Sequence, residues 1–287
     1  MLDILKARIR QGRETVAYPG GPPRFPDRFR GRPALDPARC PAACTACADA
    51  CPTEAISEPG RPEMRLDLGR CVFCTRCVEA CPGEAIVFTR DHRLAARSRE
   101  ELRIGPDEPL LARALDEKLR KVFGRSLKLR QVSAGGCNGC EAELNACGNI
   151  QFDAGRFGIQ FVASPRHADG IVVTGPISEN MRLATLETWN AIPSPRLAIA
   201  VGACAISGGV FAGSPAVSNG LPGLPEIPVD LFIAGCPPHP ITVLDGLLRL
   251  LGRLEGQGSV AEPLVSPLGE QLVREPPAPG DRAAILR

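Results

Sequence analysis

Apolar residues in the second half of the chain fall into short runs of strand length, separated by helical or glycine-rich stretches, which is the alternation of an open α/β sheet. The runs are "LKLRQV" (Leu127–Val132), "IQFV" (Ile159–Val162), "GIVVT" (Gly170–Thr174), "RLAIAV" (Arg196–Val201) and "VDLFIA" (Val229–Ala234). "MRLATLETWNAI" (Met181–Ile192) and "PITVLDGLLRLLGRL" (Pro240–Leu254) read as helices that cover such a sheet. Upstream, "PLLARALDEKLRKVFG" (Pro109–Gly124) predicts an amphipathic helix with proline at its start and glycine at its end. Residues 91–107 are charged and irregular, and ahead of Arg90 the spacing of cysteines sets the pattern. Beyond Gly256 proline and glycine dominate, as in an extended arm laid on a partner. The chain thus divides into a cysteine-rich unit over 1–95, a helical connector over 96–125, an α/β open parallel-sheet domain of flavodoxin-like type over 126–255 and a tail over 256–287.

Composition narrows the function classes. With 287 residues, 44% of them apolar, the chain can build two modest cores. A net charge of +2 without a basic, aromatic-interleaved patch argues against nucleic acid as a partner. The apolar runs fall short of the about 18 residues of a membrane span, and "MLDILKARIR" lacks a signal-peptide core, so a cytoplasmic location is expected. Thiols stay reduced there, and thirteen cysteines read as metal ligands or catalytic groups before disulfides.

Two runs, "CPAACTACADACPTEAI" (Cys40–Ile56) and "CVFCTRCVEACPGEAI" (Cys71–Ile86), share the ending C-x-x-C-x-x-x-C-P-x-E-A-I, an internal duplication. The second is the bacterial ferredoxin pattern C-x-x-C-x-x-C-x-x-x-C-P, in which the fourth cysteine ligates the other cluster. Cys71, Cys74, Cys77 and Cys51 are then the expected ligands of one 4Fe-4S cluster, and Cys40, Cys44, Cys47 and Cys81 those of a second, in an α+β ferredoxin-like domain. Three residues separate Cys40 from Cys44 where the pattern has two, so that loop must bulge. The proline-terminated duplication argues against zinc ribbons or disulfides.

A third group follows the strands. The stretch "GGCNGCEAE" (Gly135–Glu143) carries a C-x-x-C, a spacing shared by zinc sites, redox dithiols and iron–sulfur clusters. Predicted strands end just before Cys137 and Cys140, before "GACAISGG" with Cys204, and before "GCPPHP" with Cys236. Ligands of open parallel sheets collect at the carboxyl ends of the strands, so four thiols converge on one edge. A cubane suits them, and on ligand count alone so does a structural zinc.

Three stretches then point to a family: "GGCNGCEAELNACGNIQFDAGRFGIQFVASPRHADGIVVTGPISENMR", "GACAISGGVF" and "GCPPHP". Over about Leu127–Leu254 the chain resembles the small subunit of membrane-bound group 4 NiFe hydrogenases of the formate hydrogenlyase type, a family that includes the quinone-proximal small subunit of respiratory complex I. "YPGGPPRFPDRFRGRPALDPARC" with the two cluster runs resembles the two-cluster ferredoxin-like subunit of the same complexes, over about Met1–Arg90. The chain therefore reads as a fusion of two adjacent subunits. The resemblance implies a third 4Fe-4S cluster on Cys137, Cys140, Cys204 and Cys236. It also implies a large-subunit partner, membrane-arm subunits, and a donor such as formate dehydrogenase, carbon monoxide dehydrogenase or ferredoxin. The chain would sit peripherally on the cytoplasmic face of the inner membrane. Its C-x-x-C, where the complex I homologue has adjacent cysteines, favours the hydrogenase branch over a nickel-free quinone or ion-pumping oxidoreductase. A zinc-stabilised scaffold is the remaining alternative.

No residue here needs to make or break substrate bonds. Glu141 is the candidate for proton transfer beside the large subunit, whereas Glu143 fits a helix start, where carboxylates are favoured by the helix dipole. Cys147 has no place in the ligand pattern and is expected to pack as a small hydrophobe. His239 is expected to pack at a helix N-terminus. The basic N-terminal "MLDILKARIRQGR" suits docking on a membrane-arm partner better than lying on lipid.

Overall fold

A computed structural model describes residues 2–12, 14–106 and 112–254. The expected tail over 256–287 and residues 109–111 of the expected connector helix lie outside the described residues.

The largest element is a six-stranded sheet in the order Ala95–Ala96, Leu231–Ile233, Leu197–Val201, Gly170–Thr174, Leu127–Ser133, Ile159–Phe161. The last five are parallel and Ala95–Ala96 is antiparallel. Numbered along the chain, the parallel strands run 2-1-3-4-5, a doubly wound order whose switch point lies between Leu127–Ser133 and Gly170–Thr174. Every residue of Gly170–Thr174 and Leu197–Val201 is buried. Both faces of those strands are covered, which is why they read as continuous apolar runs.

One face packs Leu129, Val172 and Ile199 under Leu144 of helix Gly139–Cys147 and Leu244 of helix Pro240–Leu250. The other packs Ile171, Val173 and Ala200 against Trp189 of helix Glu179–Asn190, and this core runs on into the cysteine-rich region through Leu66, Phe73 and Ile86. Hydrogen bonds tie the two regions as well, from Ala234 N to Leu94 O (3.0 Å) and from Ser207 Oγ to Gly69 O (2.8 Å).

The cysteine-rich region holds two one-turn helices, Ala46–Asp49 and Arg76–Glu79, an antiparallel pair Pro33–Leu35 with Ile86–Phe88, and a three-stranded sheet of Ile56–Ser57, Arg65–Asp67 and Arg103–Ile104. The connector departs from expectation. Its helix covers only Glu117–Phe123, because the Asp116 side chain accepts the Leu119 N–H at 3.0 Å and caps it there, while Leu115 N bonds Leu250 O instead of continuing a helix. Helix Leu2–Gln11 buries no residue and leaves Leu2, Ile4, Leu5 and Ile9 exposed.

Candidate functional site: three sets of cysteines

All thirteen cysteines are free thiols, and twelve lie in three neighbourhoods. Burial pushes Cys71 up to about 12, and the nearby Cys77, Cys51 and Cys74 push the same way. Cys77 also rises to about 12, through burial and then Cys51 and Cys74. Burial raises Cys40, with Cys81 and Cys44 adding to it, and raises Cys47, with Cys81 and Cys40 adding. The two expected fourth ligands thus each stand among the other run's cysteines, Cys51 beside Cys71 and Cys77, and Cys81 beside Cys40 and Cys47. Thiols crowded in this way resist ionisation until a positive group arrives, as a metal cluster does.

The duplication extends to backbone geometry. Ala55 N donates to Cys51 Sγ at 3.3 Å and Ala85 N to Cys81 Sγ at 3.2 Å. Ala43 and Phe73 both have left-handed φ, of 56° and 53°, as do Glu54 and Glu84, each at 51°. Such angles are uncommon for these residue types, and their recurrence at matched places fits a shared ligand-loop geometry. The extra residue in the first run coincides with one difference: Thr45 has φ −113°, whereas Thr75 is left-handed at 69°.

The third set stands at the carboxyl ends of three parallel strands. Leu127–Ser133 leads to Cys137 and to Cys140 in the first turn of helix Gly139–Cys147, Leu197–Val201 to Cys204, and Leu231–Ile233 to Cys236. Burial raises Cys140, to which Glu141, Cys236, Cys204 and Cys137 add. Burial pushes Cys204 to about 11, with Cys236 and Cys137 next in effect. Gly202, at φ +88°, passes so close that a Cβ there would lie 2.5 Å from Cys140 Sγ. Only glycine leaves that space for a group bound between the thiols. Four thiols, with a glycine cradle against one of them, fit a 4Fe-4S cluster.

Cys147 stays apart. Burial, then Glu143, raises it to about 12, and its Sγ faces Pro240 O at 3.8 Å. His239 caps helix Pro240–Leu250, its Nδ1 accepting the Ile241 N–H at 3.2 Å, and burial pushes its pKa down to about 4.

The two glutamates part company. Glu141 is buried and accepts from Ser133 Oγ at 2.5 Å and Thr174 Oγ1 at 2.7 Å. Burial alone would raise its pKa, but these bonds outweigh burial and hold the carboxyl below its ordinary value. Because Ser133 and Thr174 end the two strands at the switch point, the carboxylate anchors the helix that bears Cys140. Glu143, by contrast, is raised by burial and lines a cavity of about 320 Å³ together with Cys236. A lowered folded pKa means that Glu141 adds stability above the unfolded carboxylate range, and that this stability is lost as pH falls through the folded value. Glu141→Gln should therefore lower the unfolding midpoint at neutral pH, with the difference from the unmutated chain shrinking below about pH 4. An equal difference at both pH values would contradict the anchoring.

The N-terminal segment Thr15–Arg32 is the part of the site that sequence reasoning passed over. It crosses onto the α/β domain through Val16 N to Gln151 O (2.9 Å), Arg156 Nη2 to Tyr18 O (2.8 Å) and Tyr18 OH to Asp245 Oδ1 (2.8 Å). In the sequence it shows only as part of "YPGGPPRFPDRFRGRPALDPARC", whose aromatic and arginine content names no partner.

Residues 137–250 match the family described as NADH ubiquinone oxidoreductase, 20 Kd subunit, and residues 64–87 match the 4Fe-4S binding domain. Formate hydrogenlyase subunit 7 of Escherichia coli is 43% identical over 142 residues, half of this chain and 55% of that protein. A probable membrane-bound hydrogenase subunit, mbhJ, of Pyrococcus furiosus is 41% identical over 48% of this chain and 81% of its own length. An NADH-quinone oxidoreductase subunit of Heliobacterium modesticaldum is 38% identical over 54% of this chain and 88% of its own length. The chain belongs to the NADH ubiquinone oxidoreductase 20 kDa subunit family, and joins that module to an N-terminal 4Fe-4S binding domain.

Proposed function

We propose that the chain is the iron–sulfur electron-transfer subunit of a membrane-associated NiFe hydrogenase or formate hydrogenlyase-like complex, holding three 4Fe-4S clusters. Cys51, Cys71, Cys74 and Cys77 hold one, Cys40, Cys44, Cys47 and Cys81 the second, and Cys137, Cys140, Cys204 and Cys236 the third. When bound, such clusters supply one-electron oxidation and reduction, so the chain carries electrons between a donor and the NiFe site of a separate large subunit. Formate dehydrogenase, carbon monoxide dehydrogenase and ferredoxin are the donors to try.

The observation that carries this reading is the ordering of the three sets. Cys236, raised first by burial and then by Cys137, is also raised by Cys74, and Cys77 is also raised by Cys47. The sets therefore follow one another, with the Cys71 set in the middle. The match of residues 64–87 to the 4Fe-4S binding domain supports clusters over structural zinc.

The protein's own groups hold and tune. Amides of Ala55, Phe73 and Ala85 point at ligand sulfurs, and such bonds adjust cluster potential. Among the described residues no helix is long and apolar enough to cross a membrane. We place the chain peripherally on the cytoplasmic face of the inner membrane, held by the large and membrane-arm subunits. Likeness to the Heliobacterium NADH-quinone oxidoreductase component supports a second reading, a nickel-free quinone or ion-pumping complex. Proton transfer by Glu141 forms part of the first reading, and loss of hydrogen turnover in Glu141→Gln with all iron retained would support it.

Anaerobic iron, sulfide, zinc and nickel analysis of the copurified complex tests the proposal. About twelve irons per chain are expected from three four-iron clusters, with nickel in the complex. Twelve irons without nickel would shift the reading to the second complex, and zinc replacing four irons would overturn the third cluster.

A further inference from the structure

The cavity of about 320 Å³ lies between the loop bearing Cys74 and the loop bearing Cys236, with Phe73 on one wall and Gly235 to His239 on another. Arg28, Phe29 and Arg30 of the N-terminal segment line the same cavity, so that segment stands where the two ligand loops face each other. The N-terminal segment touches both. Arg30 Nη1 donates to the carbonyl of Phe73, the residue before Cys74, at 2.7 Å. Phe25 and Phe29 stack on each other with centroids 4.0 Å apart, and both set a face or edge against His239, three residues after Cys236, at 5.1 and 5.6 Å.

The segment is itself held fast on either side of these grips. Gly31 N donates to Thr89 O at 2.8 Å and Arg32 N to Asp91 O at 2.7 Å. Gly31 runs so near residues 89–91 that a Cβ would lie 2.2 Å from Asp91 O, which explains a glycine in "RFRGR". Arg90 Nη2 binds the carbonyls of Phe25 and Pro26 at 2.8 and 2.9 Å.

We propose that Phe25–Arg30 is a spacing strap, with Arg30 and Phe29 as positioning residues that fix the separation of the Cys74 and Cys236 ligand loops and so the coupling between the two clusters they hold. The strap's role rests on the cluster reading above and goes beyond it by assigning the spacing to residues that ligate nothing. The ties from Ala234 to Leu94 and from Ser207 to Gly69 keep the two regions docked without the strap. Removing a grip therefore loosens the gap and leaves the chain folded.

The test is the magnetic interaction between the two clusters, read by electron paramagnetic resonance on the fully reduced complex alongside its iron content. Arg30→Ala should keep the iron of the unmutated chain and lose spin–spin broadening, and Arg30→Lys, which keeps a donor at that place, should restore much of it. Phe29→Leu, which trims the grip on His239, should weaken the broadening from the other end and serves if Arg30→Ala does not fold. Intact iron with unchanged broadening in Arg30→Ala and Phe29→Leu would overturn the strap and leave the cluster reading standing. Absence of clusters from the unmutated complex would overturn both.

Discussion

Cys204→Ser should cost the complex about four irons per chain, one four-iron cluster, and abolish electron transfer to the large subunit while the other two clusters stay. The reasoning is geometric. Cys204 stands alone on its strand end, and the other members of its set arrive on different strand ends, so no neighbouring thiol on its own loop can substitute. A serine oxygen is a poorer partner for iron than a soft thiolate. Cys147→Ser is the matched control. That thiol sits buried against Pro240 O and no ligand thiol contributes to its raised pKa, so iron content should not change. Iron loss from Cys147→Ser, or full iron in Cys204→Ser, would require a different ligand set at the sheet edge.

Asp245→Ala should produce the largest loss of stability. Asp245 is 1% exposed and Arg249, one turn later, 4% exposed, with Nε to Oδ2 at 2.9 Å. The same carboxylate accepts from Tyr18 OH at 2.8 Å and faces His92 Nε2 at 3.9 Å. Breaking a buried ion pair by removing one partner costs about 3–5 kcal/mol, because the other charge keeps its desolvation penalty. For a chain of this size that is a fall in unfolding midpoint on the order of 10 °C. Asp245→Asn, which retains an acceptor for Tyr18, should fall less. A midpoint unchanged in Asp245→Ala would mean that the buried cluster adds nothing to the joint between the two regions.

Where the sequence anticipated the structure, the signal was local. The strand Gly170–Thr174 appears as read, and the other four begin and end within a few residues of their runs; in Gly170–Thr174, Leu197–Val201 and Leu231–Ile233 burial on both faces demands an unbroken apolar stretch. The connector helix was overread by a turn or more. Its apolar spacing continues upstream of Asp116, but a capping carboxylate and the bond from Leu115 to Leu250 outweigh periodicity there.

Glutamates show the limit within the site. Glu141 and Glu143 are two residues apart in "CEAE", and nothing in that stretch says that one will meet two hydroxyls from separate strands and the other a cavity. The same holds for "RFRGR", whose arginine and glycine acquire a purpose only beside Phe73 and Asp91.

The order of residues alone thus carried the duplicated cysteine runs, the strand-and-loop rhythm that delivers the remaining four cysteines of the pattern to one sheet edge, and the family. Those are properties of spacing within a few tens of residues, and spacing is written in the chain. Folding settled the rest: the two hydroxyl partners of Glu141, the cavity beside Glu143, and the contacts of Arg30 with Phe73 and of Phe25 and Phe29 with His239. Each depends on pairs such as Tyr18 and Asp245, 227 residues apart, which meet only after the sheet has formed and whose attraction leaves no periodic trace in the sequence.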